Sequence, residues 1–485
     1  MKTSLRTFAS LSGAPIAAAA IALGACGSDD TIVPLAGDGG SDSSVKGDAG
    51  DVSDSGDAGD AGHALSALGH VVVIYLENHS FDNLYGSYPN AEGLAAPGAK
   101  IPQIDPSTQQ PYATLPQTDP NIPTNHLANA SFDITPYVPQ EQKTVDVLHR
   151  YYQEQTQING GKMDLFVNVN TSQGLSLGYY PTASLPLVKF ANTIPSQVTV
   201  CDHFFHAAFG GSFLNHMWLI AAATPVFPNA PASLRAVLDA QGKLTADGAL
   251  TPDGYAVNTI ISVNAPHPSN DDQTHDLPNQ TLPTIGDQLT AAGVDWAWYS
   301  GGWNAALAGT IDPNLQFQYH HQPFVYFANY ADGTAAKAQH LKDETDFVAA
   351  AKAGTLPPVS FIKPVGINNE HPQYATMLAG QQHTVELIQA IMNGPAWKDT
   401  AVIVTYDENG GFFDHVAPPV RDKWGPGTRV PAIVFSPFAK AGVDSTPYDT
   451  TAILKLIEKR WGLPALNAVV DAQADLSANA LAFTR

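Results

Sequence analysis

The chain has 485 residues, of which 44% are hydrophobic and only 14% are charged, and its formal net charge at pH 7 is −22. A chain of this length and composition is expected to bury the core of one large α/β domain, whose elements are connected by long polar, Pro-rich loops. The strong negative charge argues against nucleic acid as a partner.

The N-terminal segment has the pattern of a secretory signal. A basic start precedes an apolar run over residues 17–23, which is too short to span a membrane, and small residues then lead directly to Cys26. This end resembles a bacterial lipobox. We therefore expect residues 1–25 to be a lipoprotein signal peptide and Cys26 to be lipidated. The protein would then be exported as a periplasmic or cell-surface lipoprotein held on a membrane by acyl chains; a chance cysteine at this position is the alternative.

Residues 26–63 are rich in Asp, Gly and Ser and predict a disordered tether. Their few apolar side chains cannot offset the conformational entropy lost on folding. A calcium-binding repeat is the alternative, because Asp recurs at every third residue from Asp48 to Asp60, although the segment lacks the aliphatic positions of such a repeat. The folded body is expected to cover residues 64–485, with its lone Cys201 buried in the core.

The first strand of this body is predicted over Gly69–Leu76, a continuous apolar run of the kind that both faces of a sheet bury. It ends at Glu77 and Asn78. In an open α/β sheet, ligands bind beyond the carboxyl ends of the strands, so these two side chains are candidate ligands. The alternative is that Asn78 or Ser80 caps a helix.

Residues 89–139 are dense in Pro, Asn, Thr and Gln and show no clear period, which predicts a long ordered loop. Such loops often cover a pocket and carry functional residues. His126 is therefore a candidate substrate-binding residue. An ordinary surface histidine is the alternative.

The segment around Ser212 predicts a helix that starts at an anion-binding turn. The apolar run Met217–Ala223 suits a helix, and Gly210 and Gly211 would let the backbone come close to a ligand. A helix start offers free N–H groups to a phosphate or a developing alkoxide. Ser212 is thus a candidate nucleophile, with simple helix capping as the alternative. Two side chains one turn further on are candidates to bind the same ligand: Asn215 and His216.

Strands and helices alternate over the rest of the chain, which predicts a three-layer α/β/α sandwich with a mostly parallel central sheet. The expected strands are Gln197–Cys201, Val294–Tyr299, Val359–Ile362, Ala401–Thr405 and Arg429–Phe435. The expected helices are Leu282–Ala292, His383–Trp397 and Thr450–Trp461.

Three histidines stand in loops beside these elements: His320, His321 and His371. Imidazole changes its charge near neutrality, so these side chains are candidates to bind phosphate oxygens or to protonate a leaving group. Adjacent residues on a strand point in different directions, which makes His320 and His321 poor evidence for two ligands of one metal.

The strand Ala401–Thr405 ends at Asp407 and Glu408 and so repeats the arrangement at Glu77 and Asn78. Two strands that end in oxygen ligands predict one converging site for a divalent cation, and a cation suits phosphate chemistry. Such a donor set admits calcium, magnesium, manganese or iron. A solvated acidic turn is the alternative.

Three motifs in this order resemble those of the bacterial phosphoesterase family that joins acid phosphatases to phospholipases C. They are Glu77–Asp82, Gly210–His216 and Tyr406–Val416, and the resemblance extends over residues 69–463. It implies an alkaline-phosphatase-like fold and one divalent metal held by Glu77, Asn78, Asp407 and Glu408. It also implies that Ser212 is the nucleophile and that His126, His320, His321 and His371 line the pocket.

The phospholipase branch of the family typically carries an Arg after Glu-Asn and a Gly-Pro-Thr nucleophile segment, where this chain has His79 and Ser212. The resemblance therefore favours an acid-phosphatase-type phosphomonoesterase that works through a phosphoserine, with His371 or His320 protonating the leaving group. Its substrate would be a phosphorylated small molecule or a phospholipid headgroup. Two alternatives stay open: a phospholipase C or other phosphodiesterase, and a surface lipoprotein that binds ligands without catalysis.

Overall fold

The computed structural model describes residues 65–123, 126–168 and 172–483. The predicted signal peptide, the lipidation site Cys26 and the tether lie outside these described residues, as does Ala64 at the predicted start of the body. They stay predictions. Cys201 is buried, as expected.

A sheet of eight strands forms the centre of the described part of the chain. The strands are β1 (His70–Leu76), β2 (Val198–Cys201), β3 (Trp296–Ser300), β4 (Leu341–Asp343), β5 (Val359–Lys363), β6 (Thr400–Tyr406), β7 (Ala432–Phe435) and β8 (Gly442–Asp444). Their order across the sheet is β4-β3-β5-β1-β6-β7-β2-β8. β7 runs antiparallel to both of its neighbours and all other pairs are parallel, which confirms the predicted mostly parallel sheet.

The helices of the described residues are short except for one. They are α1 (Phe81–Tyr85), α2 (Tyr151–Ile158), α3 (Pro186–Ala191), α4 (Ser212–Ala221), α5 (Ile285–Ala291), α6 (Trp303–Leu307), α7 (Ala335–His340), α8 (Glu344–Ala353), α9 (Met377–Met392), α10 (Ala452–Trp461), α11 (Ala468–Asp471) and α12 (Leu476–Asn479). α9 packs against α3 and α8, and α10 packs against α4, α11 and α12. Together with the sheet they form the predicted α/β/α sandwich.

β1 and β6 lie side by side at the centre of this sandwich. They pair in register from His70 with Thr400 to Leu76 with Tyr406. Every residue of β6, and every residue of β1 after His70, is buried. Because the two strands are parallel and in register, the residues that follow them emerge together at one edge of the sheet.

Several predicted boundaries are wrong. The helix predicted to end at Trp397 ends at Met392, and the helix predicted from Leu282 starts at Ile285. α9 starts at Met377 and not at His383, because the Thr376 side chain caps it by accepting from Ala379 N, and its first turns bury Gly380 and Gln381, which do not read as apolar. β7 starts at Ala432 and not at Arg429, because Pro431 has no N–H to give to a ladder.

Several pairs of very short strands lie outside the central sheet: Ile104–Asp105 with Gln110–Pro111, Phe132–Asp133 with Gly178–Tyr179, Phe204–Phe205 with Tyr448–Asp449, and Val237–Leu238 with Leu244–Ala246. Within the described ranges, none of the helices has the length and apolar character needed to cross a membrane.

Candidate active site

Three adjacent strands deliver polar side chains to one edge of the sheet. β1 is followed by Glu77 and Asn78, β6 is followed by Asp407 and Glu408, and β5 ends in Lys363. All five side chains are buried. The four residues predicted as ligands at these strand ends therefore do lie together, and a lysine lies among them.

Lys363 and the backbone of Asn78 connect these groups. Lys363 Nζ lies 2.8 Å from Glu77 Oε1 and 3.6 Å from Asp407 Oδ2. The N–H of Asn78 donates to Asp407 Oδ1 at 3.2 Å. The two carboxylates from different strands thus share one ammonium group.

The backbone of Asn78 is in the left-handed region, with φ of 65°, which Asn tolerates better than most residues. Gly410 packs directly against it. A Cβ on Gly410 would lie 2.3 Å from the carbonyl oxygen of Asn78, so this contact requires glycine. Gly410 therefore lets the segments that follow β1 and β6 approach each other.

Ser212 is the first residue of α4, so the predicted helix start is confirmed, but Gly211 and not Ser212 occupies the capping position. Its hydroxyl donates to Asn78 Oδ1 at 3.3 Å, which places it beside the strand-end groups. Gly210 has φ of 92°, and a Cβ there would lie 2.5 Å from Tyr151 N. The turn before Ser212 can thus be formed only with glycine.

Asn215 and His216 do not line the cavity into which Ser212 opens. The Asn215 side chain turns back onto the preceding loop, where its Nδ2 donates to Ala208 O at 2.9 Å and its Oδ1 accepts from Ala208 N at 3.0 Å. His216 Nδ1 donates to Ser212 O at 2.7 Å. The structure therefore places both residues as supports of the Ser212 segment and not at the surface that a substrate would touch.

A cavity of about 380 Å³ opens in front of Ser212 and Glu77. Four of the side chains that line it are imidazoles: His149, His320, His321 and His371. His126 is exposed and is not among the lining residues, whereas His149 is. The described residues of the predicted loop region 89–139 thus deliver no histidine to the cavity, and the additional imidazole found there comes from His149, ten residues after the end of that region.

His149 and His371 are oriented alike. The Nδ1 atom of each faces a backbone carbonyl, that of Val147 for His149 and that of Pro372 for His371, at 2.5 Å in both cases. Their Nε2 atoms face the strand-end groups: His149 Nε2 lies 3.2 Å from Asn78 Nδ2, and His371 Nε2 lies 4.0 Å from Glu77 Oε2. His371 thus keeps Nε2 for chemistry in the cavity, whereas His149 Nε2 forms a hydrogen bond with the Asn78 amide.

Burial and neighbouring charges set the acidity of the site. Burial acts to raise the pKa of Glu77, but His321 and Lys363 bring that pKa well below its usual range. Since burial lowers the pKa of His321 to about 4, the lasting positive charge opposite Glu77 is Lys363. Burial raises the pKa of Asp407, and the nearby Glu77 raises it further. Burial also raises the pKa of Glu408 well above its usual value, and the negative charge of Asp407 acts in the same direction. The site thus has more negative groups than the described side chains compensate.

The same strand-end groups fit a divalent cation. Oε2 of Glu77, Oδ2 of Asp407 and Oε1 of Glu408 are buried without a hydrogen bond, whereas Glu77 Oε1 has ionic contacts with Lys363 and His321. Three buried carboxyl groups stand against one lysine, and unpaired buried charge is costly. Carboxylate and amide oxygens suit calcium, magnesium, manganese and iron. His216 and His321 also place a ligand atom within 4.8 Å of one on Glu77, so imidazole nitrogen is available to a metal here.

Other groups of potential ligands occur in the described residues. Asp82, Asp414 and His415 form one, but the buried guanidinium of Arg429 already lies 2.8 Å from Asp414 and 3.2 Å from Asp82. His267, Asp271 and Asp276 form another, in which His267 Nε2 is within 2.9 Å of Ser262 O. Neither of these two groups lines the cavity at Ser212, whereas a third group does, formed by Asp146, His149 and His371. The strand-end group differs from this third group in having three fully buried carboxyl groups, and it is therefore the candidate metal centre.

Sequence analysis missed two residues of this site, Lys363 and His149. Lys363 ends a parallel strand, and the rule that selected Glu77 and Asp407 could have found it. His149 lies in a stretch without regular structure before α2, and no periodic signal marks it. Its position depends on contacts between segments far apart in the chain.

Glu370 lies behind His371 and predicts a pH dependence of stability. Its carboxylate accepts from Tyr406 Oη at 2.6 Å, and burial raises its pKa to about 7. Because the folded state holds this proton more tightly than an unfolded chain, stability falls as pH rises from about 4.5 to about 7. We expect Glu370→Gln to remove a cost of about 3 kcal/mol above pH 7 and to leave stability near pH 4.5 almost unchanged.

Denaturant unfolding of wild type and Glu370→Gln at both pH values measures this difference. Glu386→Gln, at an exposed position of α9, is the matched control. A stability difference that does not vary with pH would contradict the assignment.

Comparison with known proteins identifies the chain. The model of the Phosphoesterase family matches residues 68–464. The chain therefore belongs to the phosphoesterase family. This membership makes the protein a hydrolase of phosphoesters and confirms the resemblance expected from the three motifs.

The phosphoesterase is similar to curated phospholipases C. It is 27% identical over 440 residues to phospholipase C A of Mycobacterium tuberculosis, with 83% of this chain and 74% of that protein covered. It is 25% identical to the non-hemolytic phospholipase C of Pseudomonas aeruginosa, with 82% and 54% covered. A solved alkaline phosphatase superfamily protein from Vibrio parahaemolyticus aligns over 72% of this phosphoesterase and 74% of that chain, with 11% identity and a TM-score of 0.34.

Proposed function

We propose that this protein is a metal-dependent phosphomonoesterase of the acid phosphatase type, with Ser212 as the nucleophile. The observation that carries the proposal is that four imidazoles line the cavity into which Ser212 opens. The phosphoryl group of a phosphomonoester has three non-bridging oxygens, and four imidazoles provide enough nitrogen atoms to contact all three. Among the residues lining the cavity, only Val147, Leu148 and Tyr374 offer sizeable apolar surface, so the lining is better suited to a small polar leaving group.

The proposed reaction has two steps. Ser212 Oγ attacks phosphorus, the bond from phosphorus to the leaving oxygen breaks, and a phosphoserine forms while the hydroxyl proton passes to water in the cavity. His371, whose Nε2 faces the cavity, gives a proton to the leaving alkoxide, with His320 as the alternative donor. Water then attacks the phosphoserine, which releases inorganic phosphate and restores the serine hydroxyl.

The chain's own residues prepare this site in three ways. Asn78 accepts the hydrogen bond of Ser212 and so orients Oγ. Glu77, Asn78, Asp407 and Glu408 would hold a divalent metal, which when bound favours the serine alkoxide and offsets charge on the transferring phosphoryl group. His149 and His321 are placed to contact the phosphoryl oxygens.

A phospholipase C activity is the second candidate, and the similarity to phospholipases C favours it. In that case the phosphoryl group carries two ester bonds, and the lipid part would have to lie outside the polar cavity. Ser212 would serve as nucleophile in either reaction.

One assay separates the two candidates. We would compare kcat/KM for p-nitrophenyl phosphate with that for bis-p-nitrophenyl phosphate and phosphatidylcholine, each with and without a chelator. The proposal expects chelator-sensitive release from the monoester, at least about tenfold more efficient than from either diester. Faster cleavage of the diesters would establish the second candidate, and no hydrolysis of any substrate would overturn both.

The proposal also includes export and lipid anchoring at Cys26, ahead of the described residues. Mass spectrometry of the N-terminal peptide of protein from bacterial membranes tests this, because an unmodified Cys26 would contradict it.

A further inference from the structure

Glu154 and His206 form a buried ion pair behind the turn that precedes Ser212. Glu154 belongs to α2, and His206 Nε2 donates to its Oε1 at 2.7 Å. Both residues are completely buried, and neither lines the cavity. Any effect of this pair on the reaction must therefore pass through other residues.

The Glu154 carboxylate binds two backbone amides in addition to the imidazole. Gly210 N donates to its Oε2 at 2.5 Å, and Thr428 N donates to its Oε1 at 3.0 Å. One side chain thus joins α2, the segment before β7 and the turn before the nucleophile. The hydrogen bond from Gly210 is the one nearest the nucleophile, because Gly210 is only two residues before Ser212.

His206 is held at both of its nitrogens. In addition to its bond to Glu154, its Nδ1 donates to Ala208 O at 2.8 Å, so both nitrogens act as donors and the ring is an imidazolium. Burial acts to lower the pKa of this ring, but Glu154 raises it above its ordinary value. The imidazole is therefore positively charged, and the pair fixes the loop at Ala208 and at Gly210.

This arrangement is difficult to explain by stability alone. A buried ion pair must offset a large desolvation cost, and apolar side chains of similar volume often stabilise a core as well or better. It also constrains its neighbours, since a Cβ on Gly427 would lie 2.1 Å from His206 Cε1 and 2.6 Å from Glu154 Oε1. The pair forms hydrogen bonds with the backbone of the turn that precedes Ser212, and a role in holding this turn explains its presence better than stability does.

We propose that the Glu154 and His206 pair positions the nucleophile, by holding the Gly210 amide so that Ser212 Oγ stays against Asn78. This inference rests on the proposed role of Ser212. Asn215 holds the same loop from α4, through Ala208 and Gly210 O, so the turn is fixed from two helices. Fixing matters because a displacement of about 1 Å in a reacting group can cost about 100-fold in rate.

Glu154→Gln tests the inference, because it keeps the shape of the side chain and one acceptor but removes the charge. We expect kcat to fall about 10- to 100-fold while KM changes less than about threefold, because the groups that line the cavity are unchanged. The matched control is Glu344→Gln, since Glu344 forms a similar pair with His383 at 2.7 Å between α8 and α9, away from Ser212. Its kcat should equal that of wild type.

Two further measurements separate positioning from a general loss of stability. The double variant Glu154→Gln/His206→Gln replaces the charged pair by a neutral hydrogen-bonded one, and we expect it to recover part of the lost kcat. Hydrogen exchange at the Gly210 amide should be faster in Glu154→Gln, whereas exchange in the central strands should match wild type. Wild-type kcat in folded Glu154→Gln, or a change in KM alone, would overturn the inference.

The exchange measurement does not require turnover, so it distinguishes this inference from the proposed function. If wild type hydrolyses no phosphoester, the proposed function fails, but the positioning of the Gly210 amide can still be tested. Unchanged hydrogen-exchange protection of that amide in Glu154→Gln would overturn the positioning inference. If Glu154→Gln does not fold, His206→Gln leaves Glu154 its two amide donors and is subject to the same criteria.

Discussion

Replacement of Ser212 by alanine is expected to reduce phosphoester hydrolysis by at least about 10⁴-fold, since loss of a nucleophile removes the covalent route altogether. The side chain is small and lies at the surface of a cavity, so the fold should tolerate the change. The expected phosphoserine gives a second readout. Acid quenching of wild type with a labelled monoester should trap label on the peptide that contains Ser212, and the variant should trap none.

Ser360→Ala is the control for this prediction. Ser360 is also buried and lies on β5, and its hydroxyl has no hydrogen bond, so its removal should leave turnover unchanged. Turnover of Ser212→Ala within tenfold of wild type would show that another group attacks phosphorus. Trapping of label on a different peptide would identify that group.

Asp407→Asn is expected to lower both metal content and activity, the latter by at least about 1,000-fold. The change removes one negative charge from a group of three buried carboxylates and leaves Lys363 facing a weaker partner. A divalent cation contributes several kcal/mol of charge stabilisation in phosphoryl transfer, and each 1.4 kcal/mol is a factor of about ten in rate. Elemental analysis of purified wild type and Asp407→Asn measures the metal content of each directly.

Asp271→Asn is the matched control for metal binding. Asp271 belongs to another group of potential ligands, with His267 and Asp276, which does not line the cavity at Ser212. If metal is lost with Asp271→Asn and kept with Asp407→Asn, the metal centre has been assigned to the wrong place. Treatment of wild type with a chelator should reproduce the effect of Asp407→Asn on activity, and an added divalent metal should reverse it.

The sequence predicted the centre of the molecule well because short-range patterns determine it. Continuous apolar runs select β1 and β6, and a parallel sheet then requires their carboxyl ends to lie at one edge. Glu77, Asn78, Asp407 and Glu408 follow from that rule. The position of Ser212 follows from two glycines before an apolar helical run.

Long-range contacts determine the parts that the sequence did not predict. His149 and His126 both lie in irregular segments, and only contacts with distant loops and strands decide which of them reaches the cavity. Asn215 is on the predicted helix, but its side chain is satisfied by the backbone of Ala208 and Gly210, which no helical pattern reveals. Glu154 reads as an ordinary polar position of α2, and its burial depends on His206 and Thr428.

Lys363 has a consequence for the order in which the protein is assembled. Its ammonium is part of the chain and already lies between Glu77 and Asp407, so part of the repulsion among the strand-end carboxylates is relieved without any ion from solution. We therefore expect the chain to fold before it binds a divalent cation. Treatment with a chelator should accordingly leave the fold intact, so that the ion can be bound again without refolding.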